Sequence, residues 1–418
     1  MSSVSLLLRR VSSLLGSKVE IVSRDFLVKV LWYIVGLSAT PGRRTVRRMQ
    51  AALPFAPTDR HGIERVLKDV PDAARMLLRE LGFGRLVRAL ERKRRTRVFV
   101  VPDTTNHERF GRKMEGAFRF RDNSTRGFIR GHRVVVLIAV LGRQIIPLGG
   151  RLFVRKEDAP KVGVKYRSQI DLAEELLRAV PLLPKGVTIE VLADSFFFNT
   201  QMVNVCRELG FVLTSRAQVN QTVTGPGPGR RTTVGRRMAR IYARRQARPV
   251  TVRQRGRTRT YLVARRIQSF RNIGPINTIF SRERWKKKAP VAIVTTDLDA
   301  TPRQVLERMG HRWAIELFFR SCKQDLGMGH YQGRHWEGVD QHLQLVLMAH
   351  LLLSCTAGEN RARAEKRHKK ETLSGLQDLR AGRARLHEAV FEDLIRGAHT
   401  HQEVVTAYKA HARAVFGT

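Results

Sequence analysis

The chain has 418 residues, with 78 Lys or Arg against 36 Asp or Glu, a net charge of +42 and a pI near 11.5. That length accommodates two or three domains with sizeable cores. The charge repels itself and draws polyanions, so nucleic acid is the expected partner and a membrane surface the weaker alternative.

The three cysteines, Cys206, Cys322 and Cys355, form no CxxC pair. This argues against a disulfide framework and a zinc ribbon, and for a reducing compartment, the cytoplasm or nucleoid. The longest apolar run, FLVKVLWYIVGL (26–37), is too short to span a bilayer and carries Lys29, so it predicts a buried helix and no membrane anchor. The start, MSSVSLLLRRVSSLLG, has the form of an amphipathic transit peptide, but such Arg-rich starts are also ordinary in DNA-binding proteins.

Residues 1–92 read as a helical N-terminal domain. Two periodic segments, 26–36 and 43–52, flank LSATPG, with Pro41 placed to start a helix. The pattern fits a helix-turn-helix DNA reader and equally a small helical bundle. The chain then changes character. Val98 to Val101 predict a short strand ending at Asp103, residues 132–150 a β-hairpin turning at Gly142, and 168–180 a helix. A second strand ends at Asp194, and the helix NTQMVNVCRELGF follows. This order predicts an α/β sheet with acids at strand ends, its first part covering residues 93–208.

From 209 to 282 there are 17 Arg and no Lys, Asp or Glu. GPGPG (225–229) breaks the chain, and PVTVRQRGRTRTYLVARRIQ alternates as β-strands do. Arginine suits forked phosphate contacts, so residues 209–290 are expected to be a β-rich insertion gripping a nucleic-acid backbone, the alternative being disorder. The α/β core resumes over 291–357 with VAIVTTDLDA and the buried helix LQLVLMAHLLLSC. The tail, 358–418, is charged and helical.

Within 311–334 (HRWAIELFFRSCKQDLGMGHYQGR), Arg312, Glu316, Arg320 and Lys323 fall in one helical stripe about 80° wide, beside an apolar stripe of Ile315, Phe319, Cys322 and Leu326. The plain reading is a surface helix with i,i+4 ion pairs worth about 0.2–0.5 kcal/mol each. Asp103, Asp194 and Glu316 offer another. Strand ends of an α/β sheet converge where ligands bind, and carboxylates gathered there repel one another unless a cation neutralises them. Two Mg²⁺ ions about 3.5–4 Å apart would do so and would support phosphoryl transfer. An Asp after a strand is also a common turn former or helix cap, and Asp297 and Asp299 compete for the same role.

The helix resembles the Y-(2)-R-(3)-E-(6)-K signature of bacterial insertion-sequence transposases of the DDE type, with Arg312, Glu316 and Lys323 at its spacing and Met309 at the tyrosine position. RWAIELFFRSCKQDLG and HYQGR, ending at Arg334, also resemble that family. Asp103 in PDTT and Asp194 in LADSFF match its first two acids, and the 121 residues between Asp194 and Glu316 match its β-rich insertion. The resemblance covers roughly residues 95–355. It implies an RNase H-like core interrupted by the insertion, and Asp103, Asp194 and Glu316 as catalytic and metal-holding residues. The metal would be Mg²⁺, two ions, with Mn²⁺ able to replace it. It further implies DNA contacts by Arg312, Arg320, Lys323 and Arg334, and cut-and-paste transposition by a homodimer on terminal inverted repeats and target DNA.

Trp285, between Arg284 and Lys286, is expected either to stack on an unpaired base near the cut end or to cover the edge of the following strand. Two other functions fit the same residues. One is an RNase H-like nuclease or resolvase that cuts without rejoining, the other a non-catalytic DNA- or RNA-binding protein.

Overall fold

A computed structural model of the chain describes residues 23–364 except 41, 54–59, 69–70, 94–95, 112, 123–126, 143, 225–230, 255–256 and 286–288, together with residues 11, 379–380 and 383–390. The expectations for the transit-peptide-like start, for GPGPG and for most of the C-terminal tail lie outside these residues.

Four helices precede the sheet: α1 (Arg24–Ala39), α2 (Val46–Ala52), α3 (Arg60–Val66) and α4 (Pro71–Lys93). Ser23 caps α1 by accepting from the Phe26 amide at 3.2 Å. The apolar run expected to be a buried helix is one: Leu31, Ile34, Val35 and Leu37 have no exposed surface. These helices do not stand apart from the sheet. They share one apolar core with it, and α4 packs on strand β4 and on the late helix α10, defined below.

The strands are β1 (Arg97–Glu108), β2 (Phe118–Asp122), β3 (Gly127–Leu141) and β4 (Gln144–Phe153). After helix α5 (Gln169–Arg178) comes β5 (Thr188–Leu192), and after α6 (Thr200–Glu208) comes β6 (Val212–Arg216). The predicted hairpin is β3–β4, turning at Gly142 with φ +63°, a left-handed position that favours glycine. β3 runs antiparallel to both its neighbours β1 and β4, whereas β5 and β6 run parallel to β1, in the order β4–β3–β1–β5–β6. Three antiparallel strands followed by two parallel ones, with helices on the crossovers, is the RNase H-like arrangement that the resemblance implies.

One strand differs from expectation. β1 does not end at Asp103 but continues to Glu108, because antiparallel pairing with β3 runs from Phe99 to Glu108. Its parallel ladder with β5 does stop early, at Val100. Pro102, which has no N–H to donate, stands just past that stop.

The Arg-rich segment contributes β7 (Thr222–Thr224), β8 (Arg231–Thr233), helix α7 (Val234–Ala243), β9 (Arg248–Gln254), β10 (Arg257–Phe270) and β11 (Gly274–Glu283); β12 (Val291–Thr295) follows. β12 pairs with β6 on one side and β11 on the other, so the insertion extends the core sheet, and all twelve described strands form one sheet. The expected boundary at 209 falls before β6, which is part of the parallel core. Helix α8 (Pro302–Met309), capped by Thr301 with Gln304, closes a small second core of Val252, Val263, Ile279, Ile293 and Leu306.

Helix α9 (Trp313–Gln324) and helix α10 (Trp336–Ala364) complete the core. Near the C-terminus, Leu379, Leu386 and Val390 are buried. Arg383 there donates to the Ser38 carbonyl at 3.0 Å and to Asp325 at 3.4 Å, tying the end of α9 to the end of α1. Among the described residues, no helix is long and apolar enough to cross a membrane.

Candidate active site

Asp103 stands on β1 opposite Val136, just beyond the last parallel pair. Its side chain is 13% exposed. Its Oδ1 accepts from the Thr104 amide at 2.8 Å and its Oδ2 from Arg312 Nη2 at 2.9 Å. Burial pushes the carboxyl up to about 6; the Arg312 guanidinium and the Thr104 amide oppose that, while Asp194 and Glu316 add to it. The electrostatics therefore place three carboxylates from distant parts of the sequence in one neighbourhood.

A raised carboxylate has a definite sign in the stability. The folded protein holds this proton up to about pH 6, the unfolded chain only to its ordinary 3.8. The cost of ionising Asp103 in the fold is absent at low pH, grows as pH rises from about 4 to 6, and totals about 2–3 kcal/mol above that. Asp103→Asn is expected to stabilise the protein by about this amount at pH 7.5 and by almost nothing at pH 4, read from urea unfolding at both values. No gain at pH 7.5 would mean that Arg312 offsets the burial completely.

Glu316 lies in the first turn of α9, with Oε1 3.5 Å from Arg312 Nη1. Arg312 ends a short 3-10 turn, Gly310–Arg312, whose His311 ring stacks on Phe99 of β1 at 4.4 Å. One guanidinium thus bridges Asp103 and Glu316, and its Nε is buried without a hydrogen-bond partner. Asp194, two residues past β5, is held at both backbone and side chain: its carbonyl accepts from Ser215 Oγ at 2.6 Å, and its Oδ1 accepts from the Phe196 amide at 2.9 Å. Among the described residues, no three His, Cys, Asp or Glu side chains are close enough as placed to hold a metal ion. The cation that joins two of these acids is Arg312.

The competing acids have other work. Asp297 accepts from Arg308 Nη1 at 2.8 Å and from the Asp299 and Ala300 amides, forming the turn before α8. Arg308 also reaches Glu190, a buried carboxylate on β5 that takes Arg97 at 2.6 Å and the Thr214 hydroxyl at 2.7 Å. Sequence reasoning missed Glu190 because its partners are remote in the chain.

The other predicted residues divide by position. On α9, Arg320 is exposed and Lys323 half-buried, the latter close enough to the buried His107 of β1 to help depress that imidazole after burial and Arg109. Met309, at the tyrosine position, packs against the second core. Arg334 is exposed, its carbonyl accepting from the Glu115 amide at 3.0 Å. Trp285 is 78% exposed, with the Arg284 guanidinium 4.7 Å above its ring, so it does not cover a strand edge as a buried residue would.

One cluster in the insertion gathers like charges with no acid among its described ion pairs. Arg237 and Arg240 of α7 lie beside Arg266 of β10, and burial followed by those two neighbours lowers the Arg237 pKa. Arg237 Nε is buried with no hydrogen-bond partner. Arg266 contacts only the Gln246 side chain and the Arg265 carbonyl, at 3.0 and 2.8 Å, among the described hydrogen bonds.

Fold and site together define an RNase H-like α/β protein whose clustered carboxylates sit within a strongly basic surface. Residues 161–352 match the family described as transposase DDE domain, a span that includes Asp194 and Glu316 and begins after Asp103. Over that span, a little under half of the chain, the sequence is similar to that domain family. No curated protein sequence matches it.

Proposed function

We propose that the chain cuts DNA at transposon ends and joins the freed ends to target DNA, with Asp103, Asp194 and Glu316 as the catalytic set. The observation that carries this reading is the Arg312 bridge from Asp103 to Glu316, with Asp194 electrostatically coupled to Asp103. Drawn together from their present positions, these three carboxylates would offer the all-oxygen donor set that a hard divalent cation takes. Two Mg²⁺ ions there, or Mn²⁺ in their place, would supply an activated water and stabilise the leaving oxygen. Arg312 must then turn from the carboxylates, which frees its fork for a DNA phosphate. Arg320, Lys323 and Arg334 extend the same basic surface.

The four N-terminal helices (1–92) would read the terminal repeats, and the Arg-rich strands (209–290) would hold the backbone. The two core segments, 93–208 and 291–357, would carry the chemistry. A homodimer bridging two ends in the cytoplasm, at the nucleoid, completes the reading. The test is incubation with DNA bearing the inverted repeats that flank the gene, with and without Mg²⁺. Mg²⁺-dependent nicks at the repeat boundary are expected. Binding without any nick would leave a non-catalytic DNA-binding protein, and nicks without joined products a nuclease.

Trp285 suits a later step. Its exposed ring, already paired with Arg284, is placed to receive a base that leaves the stack at the cut end. Trp285→Ala is expected to keep first-strand nicking and the melting temperature, and to slow release of the end about tenfold, from the ~1–3 kcal/mol that stacking contributes. Gel kinetics would separate the two steps; loss of nicking itself would assign Trp285 a structural role.

A further inference from the structure

We infer that the β2–β3 hairpin and the loop after β1 form a second DNA-contact surface, an Arg–Phe face that meets the duplex away from the scissile phosphate. This rests on the transposase reading for its substrate, but on different residues.

β2 alternates sharply. Phe118 and Phe120 are 6% and 7% exposed and turn inward, while Arg119 and Arg121 turn outward. The register sets Arg121 opposite Phe128 and Arg119 opposite Arg130, so all four share the outer face. Phe128 is 63% exposed, with the Arg119 guanidinium 4.9 Å above its ring. Phe110 is 73% exposed and held in place by its neighbours: Arg109 N donates to the Arg130 carbonyl at 2.8 Å, and Phe110 N donates to Gln332 Oε1 at 3.4 Å. Arg130 adds a bond to the Gly111 carbonyl at 2.5 Å, so it fixes the loop that presents Phe110.

These four face positions hold three arginines and a phenyl ring and no carboxylate. Two nearby acids are placed elsewhere. Glu115 is taken by the Trp336 amide and His335, at 2.8 and 3.2 Å, and Glu108 pairs with Gly131, on the opposite face by alternation. One exposed phenyl ring among unneutralised arginines, with a second exposed ring in the adjoining loop, matches a duplex: guanidinium groups on phosphates, rings wedged against base edges.

The spacing follows from the strands. Val136 is opposite Asp103, and Phe128 lies eight residues further along β3. At about 3.3 Å per residue that is about 26 Å, or about eight base pairs at 3.4 Å each. Phe110, seven residues past Asp103, falls at about seven by the same scale.

The experiment uses full-length protein and a duplex spanning the repeat boundary, without divalent metal. A single 2-aminopurine is moved from about four to about ten base pairs from the cut, on each side in turn. Wild-type protein is expected to change the fluorescence at about seven and eight on one side only. Phe110→Ser/Phe128→Ser should erase that change and weaken binding at least about fivefold. Both residues are exposed, so its melting curve should match wild type; should it not, Arg119→Gln/Arg121→Gln is expected to give the same loss of signal. An unchanged profile and affinity in the variants, with wild type binding and nicking normally, overturns this surface alone. A changed oligomeric state of the DNA-free variants with an intact fluorescence profile marks the face as a protein contact and also overturns it. Wild-type protein that binds no DNA overturns both this inference and the transposase reading.

Discussion

Glu316→Gln is expected to abolish DNA cleavage while leaving DNA binding intact. The amide keeps the size of the side chain and removes the charge that faces Arg312 at 3.5 Å. Loss of a group that merely orients a metal ligand costs 10–100-fold, so loss of a proposed ligand itself should lower cleavage by at least about a hundredfold. Asp194→Asn should behave alike. The contrast is Asp297→Asn, where Asp297 is held by Arg308 and by the Asp299 and Ala300 amides that follow it. It should cut within about threefold of wild type while losing some stability, since removing one partner of an ion pair leaves the other uncompensated. A supercoiled-plasmid nicking assay with gel-shift controls decides between them. Near-normal cleavage by Glu316→Gln together with loss in Asp297→Asn would reverse the assignment.

The second large effect is on salt dependence. Arg237, Arg240 and Arg266 crowd one another without a carboxylate partner among the described ion pairs, which is costly unless an anion joins them. Replacing all three by Gln should weaken duplex binding and flatten log Kd against log salt by about 2.7, at about 0.9 per phosphate contact. Because these side chains repel one another in the free protein, the triple variant should also melt no earlier than wild type. An unchanged slope in fluorescence anisotropy would show that the N-terminal helices carry the phosphate contacts.

What the sequence discloses, and what it hides, follows from the range of the forces involved. The α9 stripe was legible because helical spacing is a local property: Arg312, Glu316, Arg320 and Lys323 follow one another within a dozen residues. The β3–β4 hairpin was legible for the same reason, with Gly142 marking its turn. The full length of β1 was not. TTNHE has no apolar run, and only its pairing with β3, some thirty residues away, extends the strand past Asp103. Glu190 looked like an ordinary strand residue, since its partners Arg97 and Arg308 lie far off on either side. The insertion was recognised by composition, yet composition carries no register, so its merging with the core sheet through β12 was invisible.

That merging bears on how the chain is made. β6 is flanked by β5 on one side and β12 on the other, and β12 begins at Val291, long after β6 ends at Arg216. While the ribosome delivers the residues between them, β6 is a bare edge, with free amide and carbonyl groups ready to pair with any extended chain. The segment that emerges during this interval is the arginine-rich one, and its unrelieved positive charge pushes sibling nascent chains apart. The arginines proposed to hold the DNA backbone would therefore guard the half-built sheet as well. A fragment terminated just after β6 has the open edge without that guard and is expected to aggregate, which light scattering of that fragment would read.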